Sequence, residues 1–519
     1  MNAAARHDYW LLSGLAVAIS IGALIFYYHQ GAILLYGDAV AHINIARRVF
    51  DSRSPGLFQL GTVWLPLPHL LDIPFVVNGR MWQTGLGASI PSMAAYVAGT
   101  LGVYRLVNGL ASRSSAWIAA LIYALNPNLI YMQATAMGES LYLALFVWSA
   151  VYFAEFVRRV QDGPDHAAKS LKKCGLVVSA AMLVRYDGWF LAAVIAVCAA
   201  LILWRLRPPV PPLRRGLINF VLFTGFTAAL FLVYNQAAYG NALEFANGPY
   251  SARAIQQRSK TATMPSYPGE KSPRDATLQF LRVSRLNMAE GRPELWLFTA
   301  ALVALLAAIY FARRYSSWAI LWTPLPFYVL CIAWGSVPIY HPEWWPFSYY
   351  NVRYGLQLLP AIAVFAAVAC QFAANFLRLR YVIAAAVLVI AASYFSVWQA
   401  PICLREARTN GAERIALEQE LAEKLKSLPQ PATVLMYCSA HAAALQMVGV
   451  PLKRRLCEND HPGWEDALAR PVQSADYLVA FAGDPVAGAV HDHPQGLEAV
   501  AIIGTPGQPK ALIYRATHR

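Results

Sequence analysis

The sequence predicts an α-helical, polytopic membrane protein of about eleven transmembrane helices with a small extracytoplasmic α/β domain at its C-terminal end. Three observations carry that expectation. Of 519 residues, 58% are hydrophobic and 13% charged, with mean hydropathy +0.41, where soluble proteins carry about 25% charged residues. Apolar runs close to the ~20 residues that cross a bilayer recur through the first 400 positions. After residue 400 the pattern turns to a charged amphipathic stretch and short β-type runs.

In chain order the spans are expected near 9–28, 88–108, 114–132, 138–156, 173–186, 188–204, 216–235, 294–312, 317–337, 355–376 and 380–398. The first, from Trp10 to Tyr28, is too long for a signal-peptide core and lacks a small-residue cleavage site, so it reads as a retained anchor. The stretch 62–78 is apolar but holds three prolines and Asp72, which makes it re-entrant or interfacial. With the N-terminus in the cytoplasm, eleven spans place the basic clusters around Arg105, Arg158, Arg214, Arg313 and Arg378 inside. The short outer loops then carry little beyond Arg185 and Arg353, and a twelfth span at 62–78 would reverse this bias. The expected division is a transmembrane catalytic domain, 1–399, with outer loops 29–87, 236–293 and 338–354, and an extracytoplasmic domain, 400–519. The loop 236–293, rich in Gly, Pro, Ser, Arg and Lys, has the length and polarity of a lid.

In the tail, "ERIALEQELAEKLKSL" reads as an amphipathic helix that Pro429 to Ala432 ends. "ATVLMY", "ADYLVAFA", "EAVAIIG" and "KALIYRA" read as strands, with "SAHAAALQMVG" as a helix between the first two. No GxGxxG follows the first strand, so there is no dinucleotide fingerprint. The net charge of +14 is scattered over short loops without a basic, aromatic-interleaved tract, which excludes nucleic acid and fits membrane lipids and lipid phosphates. The seven cysteines form no CxxC pair, and Cys198, Cys331 and Cys370 act as small hydrophobes in apolar runs. Cys438, His441, Cys457 and His461 have zinc-like spacing, but Cys438 follows a strand rather than sitting in a knuckle. A Cys438–Cys457 disulfide and unpaired thiols are the alternatives.

Ionisable residues beside a bilayer are costly, and here they collect on the outer side. They are Asp38 and His42, His69 and Asp72, Glu139, Arg185 and Asp187, and His341, Glu343, Arg353 and Tyr354. Each has a structural reading: Asp38 as an N-cap, Glu139 as a helix-dipole partner, Arg185–Asp187 as an ion pair, Arg353 as an interfacial anchor, His69 as a satisfied interfacial histidine. Those readings leave the shared side unexplained. As a set, a carboxylate can take a proton from an acceptor hydroxyl and an arginine fork can hold a phosphate. Aromatics such as Trp344, Trp345, Tyr349 and Tyr350 could stack on a sugar or pack against an isoprenoid tail.

"YGDAVAHINIARRVF", "WLPLPHLL", "NPNLIYMQATAMGESLYLAL", "VRYDGW" and "NVRYGLQLLPAIA" together resemble the GT-C superfamily, in particular its protein O-mannosyltransferase and aminoarabinose-transferase-like branch, over residues 8–400. The resemblance implies an inverting glycosyltransferase of a bacterial inner membrane. It would move a hexose or pentose from a polyprenyl-phosphate donor to a lipid, glycan or protein acceptor. It maps the catalytic acid of the first outer loop onto Asp38, a second acid onto Glu139 and a phosphate-binding arginine onto Arg353, with Arg185 as a further candidate. His42, His69, Tyr354, His341 and Glu343 remain as substrate-binding candidates. Many relatives pair Asp with Glu in the first loop, whereas Ala39 follows Asp38, leaving His42, one turn on, as its partner or as a phosphate contact. Oligosaccharyltransferases of the superfamily bind a divalent metal through several acids; with fewer acids here, no cofactor and no essential metal are expected. The competing readings are a transporter or flippase of lipid-linked saccharides, and a non-catalytic scaffold.

Overall fold

The computed structural model describes residues 3–61, 63–206, 210–259, 266–288, 290, 292–310, 313–377, 381–429, 432–438, 441–458, 460 and 463–517. The chain opens with α1 (Ala3–His29) and then α2 (Gly37–Arg48), whose Ala39, Ile43 and Ala46 turn inward. Asp38 is not its N-cap: Tyr36 holds that position, and Asp38 lies in the first turn with no capping bond. Within the 62–78 stretch, Leu67–Val76 form α3, packed on α2; α4 (Gly79–Thr84) follows, started by the Asn78 side chain, which accepts from the Arg80 and Met81 N–H groups.

The bundle continues through α5 (Leu86–Asn108), α6 (Arg113–Ala124), α7 (Pro127–Gln133), α8 (Glu139–Arg159), α9 (Pro164–Met182), α10 (Asp187–Arg205) and α11 (Pro211–Tyr239). After α12 (Glu244–Asn247), α13 (Ala252–Ser259) and α14 (Pro273–Leu286) come α15 (Arg292–Tyr310), a 3-10 stretch Arg313–Trp322, and α16 (Pro324–Trp334). A second 3-10 turn, Val352–Leu358, leads into α17 (Leu359–Leu377), then α18 (Tyr381–Val397) and α19 (Ile402–Ser427). Among the described residues, eight helices are long and apolar enough to cross a membrane, as in a multi-pass membrane protein.

Three expected spans differ in local detail. The one at 114–132 is broken at Leu125–Asn126, because Pro127 has no N–H to continue the ladder and the Asn126 side chain accepts from Leu129 N–H at 3.0 Å to start a new helix. The one at 173–186 is the end of α9, whose earlier turns carry Lys169, Lys172 and Lys173. The apolar part of α15 is short, Phe298–Tyr310. The expected lid also differs: α14 lays Phe280 against Tyr328 with ring centroids 4.7 Å apart and buries Ala276, Val283 and Leu286, so this half of 236–293 is a fixed wall.

The tail folds around a five-stranded sheet: β1 (Val434–Met436), β2 (Arg455–Leu456), β3 (Tyr477–Phe481), β4 (Leu497–Ile503) and β5 (Ala511–Ala516), in the order β2-β1-β3-β5-β4. β1 runs parallel to β2 and β3, and β5 antiparallel to β3 and β4. Helices α20 (Ala442–Val448), α21 (Gly463–Ala469), α22 (Pro471–Ser474) and α23 (Pro485–Asp492) fill the connections. The period-2 alternation gives the sheet two faces. Val434, Met436, Val479 and Ile513 meet Leu417, Leu421 and Leu425 of α19; Leu435, Leu478 and Ala480 meet Trp464 and Val486. α19 begins eleven residues before the expected amphipathic stretch, and its Ile402, Cys403, Leu404 and Ala407 belong to the core of the membrane helices.

Candidate functional site

Three carboxylates stand in the first turns of helices: Asp38 in α2, Glu139 in α8 and Asp187 in α10. A helix N-terminus carries partial positive charge, which favours an ionised acid there. Two arginines join the three acids. Arg353 gives Nη2 to Asp38 Oδ2 at 2.5 Å and Nε to Glu139 Oε1 at 3.3 Å. Arg185 gives Nη1 to the same Glu139 oxygen at 3.1 Å, Nε to Asp187 Oδ1 at 3.3 Å and Nη2 to the Tyr328 hydroxyl at 2.8 Å. That hydroxyl donates to Asp187 Oδ2 at 3.2 Å. The Tyr354 ring lies between the two guanidiniums, 4.9 Å from Arg185 and 5.2 Å from Arg353, and Arg353 also covers Tyr36 at 5.0 Å. The acids differ in access: the Asp38 side chain is 39% exposed, that of Glu139 2%.

The backbone that presents Arg353 is held on both sides. The Val352 N–H donates to Glu406 Oε1 at 3.0 Å, and its carbonyl accepts from Asn287 Nδ2 at 2.7 Å. Glu406 in turn accepts from the Tyr36 hydroxyl at 2.7 Å. Asn126 and Asn128 both donate to the Asn287 carbonyl, at 2.8 and 3.1 Å, and Asn128 Oδ1 accepts the Cys403 N–H at 2.9 Å. The break in the third expected span therefore supplies the amides that fix the Arg353 turn. Gly355 permits the close fit: a Cβ there would lie 2.6 Å from the Val283 backbone of α14. Glu406, Tyr36, Tyr328 and the asparagines were not singled out by the sequence; the "NPN" that opens the Glu139 segment was the available signal for two of them.

The remaining candidates sort by distance from this network. Among the described residues His42 forms no hydrogen bond to Asp38; its Nδ1 lies 2.7 Å from His69 Nε2, beside Trp64. Burial pushes both imidazoles below the usual histidine range. Among the described residues, His341 and Glu343 form a separate cluster rather than joining the arginines. His341 Nδ1 accepts the Glu343 N–H at 3.3 Å, and Glu343 pairs with Arg285 at 2.7 Å. In the tail, Cys438 and Cys457 are free, buried thiols. With Glu458 they bring three ligand atoms within 4.8 Å of one another, but the buried Arg455 guanidinium beside them opposes a dication. His441 instead packs on Phe481, ring centroids 4.3 Å apart, and His461 lies outside the described residues.

Burial also fixes a pH response. His341 and His441 are pushed down to about 4, mainly by desolvation. Unfolding returns each to about 6.5, so the unfolded chain binds more protons between those values. Stability is full above pH ~6.5 and falls as pH drops towards 4. Melting of the solubilised protein from pH 7.5 to 4.5 should show this slope, and His341→Gln with His441→Gln should flatten it; an unchanged slope in the double variant would place the loss elsewhere.

No protein-family model matches the sequence, and no curated protein matches it. Solved structures do. The crystal structure of ArnT from Cupriavidus metallidurans bound to undecaprenyl phosphate matches with TM-score 0.61 at 12% identity, over 97% of each chain. The apo form of that protein matches with TM-score 0.56 at 12% identity, over 99% of this chain and 98% of that one. An oligosaccharyltransferase from Archaeoglobus fulgidus, in complex with Zn and sulfate, matches with TM-score 0.51 at 11% identity, over 96% of this chain and 72% of that one. Over nearly its whole length, this chain thus has a fold similar to that of the ArnT structures.

Proposed function

We propose that this protein is an integral-membrane glycosyltransferase that moves a sugar from a polyprenyl-phosphate donor to a lipid, glycan or protein acceptor at the outer face of a bacterial inner membrane. One observation carries this reading: Arg353 spans an accessible acid, Asp38, and a buried one, Glu139, at helix N-termini that all meet at one end of the bundle. Asp38 is the base. As the acceptor oxygen attacks the anomeric carbon, the bond from that carbon to the phosphate oxygen breaks, its electron pair stays on the phosphate, and the hydroxyl proton passes to Asp38. Attack opposite the leaving group inverts the anomeric centre. Arg353 receives the charge that grows on the phosphate, with Arg185 behind it.

Glu139 is better read as a positioning residue than as a second base, since its Oε1 binds both arginines and the side chain is closed to a substrate. In this state Asp38 occupies Arg353. An arriving phosphate competes for the same guanidinium edge and frees the carboxylate to accept a proton, so donor binding and base activation are one event. A cavity of about 450 Å³ between α1, α7 and α18, lined by Ile19, Phe26, Ile130 and Phe395, suits part of the isoprenoid tail. Its Tyr27 leads through Tyr131, at 4.9 Å, to Tyr36 below Arg353. With the N-terminus in the cytoplasm, the sheet domain lies outside and α19 joins it to the catalytic part.

Purified protein in nanodiscs, given undecaprenyl-phosphate sugars and a membrane extract, should release undecaprenyl phosphate and label an acceptor. Saccharide flux across proteoliposomes with no transfer from any donor would instead make the protein a transporter.

A further inference from the structure

α2 carries an acid at its first turn and a base at its last. Arg48 lies ten residues from Asp38, about 15 Å along the axis at ~1.5 Å per residue. It lines a second cavity, of about 110 Å³, between α2 and the sheet domain, together with Arg455, Asn44, Trp64 and Glu458. The sheet domain is docked here by Gln446, which accepts from Asn44 Nδ2 at 2.9 Å and donates to the Trp82 carbonyl at 2.8 Å.

Arg48 is half-buried, Arg455 is buried, and both guanidiniums are incompletely met. Arg48 gives Nη2 to the Gln59 carbonyl at 3.1 Å, while its Nε is buried without a partner. Arg455 is 3% exposed, and its Nη1 has none either. Among the described residues neither forms an ion pair with a carboxylate. The nearby acids bond backbone rather than either guanidinium: Glu458 Oε2 accepts the Cys438 N–H at 2.9 Å, and Asp460 Oδ2 the Cys457 N–H at 3.1 Å, while Glu458 Oε1 is itself buried without a hydrogen-bond partner. Burial and the neighbouring Arg455 pull Arg48 below the usual arginine range, whereas Arg455, against its own burial, is held above it by Cys457, Cys438, Asp460 and Glu458.

A buried and a half-buried guanidinium side by side, each with an open N–H donor, are costly unless an anion matches them. A guanidinium fork fits a phosphate oxyanion, and a volume of several waters at ~30 Å³ each admits a phosphate but excludes a sugar ring beside it. We propose that the Arg48–Arg455 cavity is a second anion site, built for a phosphate group and separate from the Asp38–Arg353 network. The phosphate belongs either to a lipid headgroup or to the free ion. The site stands or falls without reference to sugar transfer.

The test uses the full chain in phosphatidylcholine nanodiscs, titrated with inorganic phosphate at constant ionic strength and followed by tryptophan fluorescence, which Trp64 reports, and by melting temperature. A saturable response is expected, absent with chloride and weakened at least tenfold in Arg48→Gln and Arg455→Gln. Ala41→Phe, which fills the cavity without removing either charge, should abolish it and guards against a misfolded arginine variant. In nanodiscs containing phosphatidic acid, a raised melting temperature with loss of the phosphate response assigns the lipid headgroup. An unchanged response assigns the free ion. The proposal is overturned if the wild type responds to neither source, or if the response survives all three variants and disappears only in Arg353→Gln.

Discussion

Asp38→Asn is expected to keep the fold and lose sugar transfer by about 10²- to 10⁴-fold, the range that a positioned general base supplies. The amide has the shape of the carboxylate and still offers an oxygen to Arg353 Nη2, but it cannot take a proton. The side chain is 39% exposed, so its ion pair contributes at most about 1 kcal/mol to stability. Melting should therefore barely move while release of undecaprenyl phosphate collapses. Equal transfer by variant and wild type would remove Asp38 from the chemistry.

Arg353→Gln is expected to fail in both respects. Loss of a charge aimed at the leaving group costs about 10²- to 10³-fold in rate. Glu139, 2% exposed, then keeps a single guanidinium, and breaking one arm of a buried charge network costs about 3–5 kcal/mol. Arg353→Lys should not restore activity, because a point charge cannot reach Asp38 and Glu139 from two edges at once as the fork does. The pair of readouts separates the residues: activity alone for Asp38, activity and melting temperature together for Arg353. An Arg353→Gln protein as stable as wild type would mean that Arg185 alone satisfies Glu139.

The parts of this arrangement that the sequence reveals are those with a local signature. Apolar length marks the membrane helices, period-2 runs mark four of the five strands, and an excess of ionisable groups on one side marks Asp38, Glu139, Arg185 and Arg353. What it conceals depends on contacts between distant positions. Glu406 sits in "CLREARTNGAER", a stretch polar enough to look solvated, yet it is 1% exposed because its partners, Tyr36 and Val352, lie 370 and 54 residues away. β2 is two residues long, too short for alternation to register. The His42–His69 pair looks like two unrelated histidines until α3 folds against α2. Asp38 reads as a cap from Gly37 before it, whereas the backbone places the cap two residues earlier.

α19 has a consequence for how such a protein can be taken apart. Its first turns hold the Arg353 backbone through Glu406, and its later turns form one wall of the sheet's core. The helix is a tie-rod anchored at both ends, so the tail is not a detachable module. A tail exchanged for a foreign one at residue 400 would leave the arginine turn slack unless the graft brought its own acid to Val352. Strain applied to the sheet by a bound partner would likewise be felt at the Arg353 guanidinium.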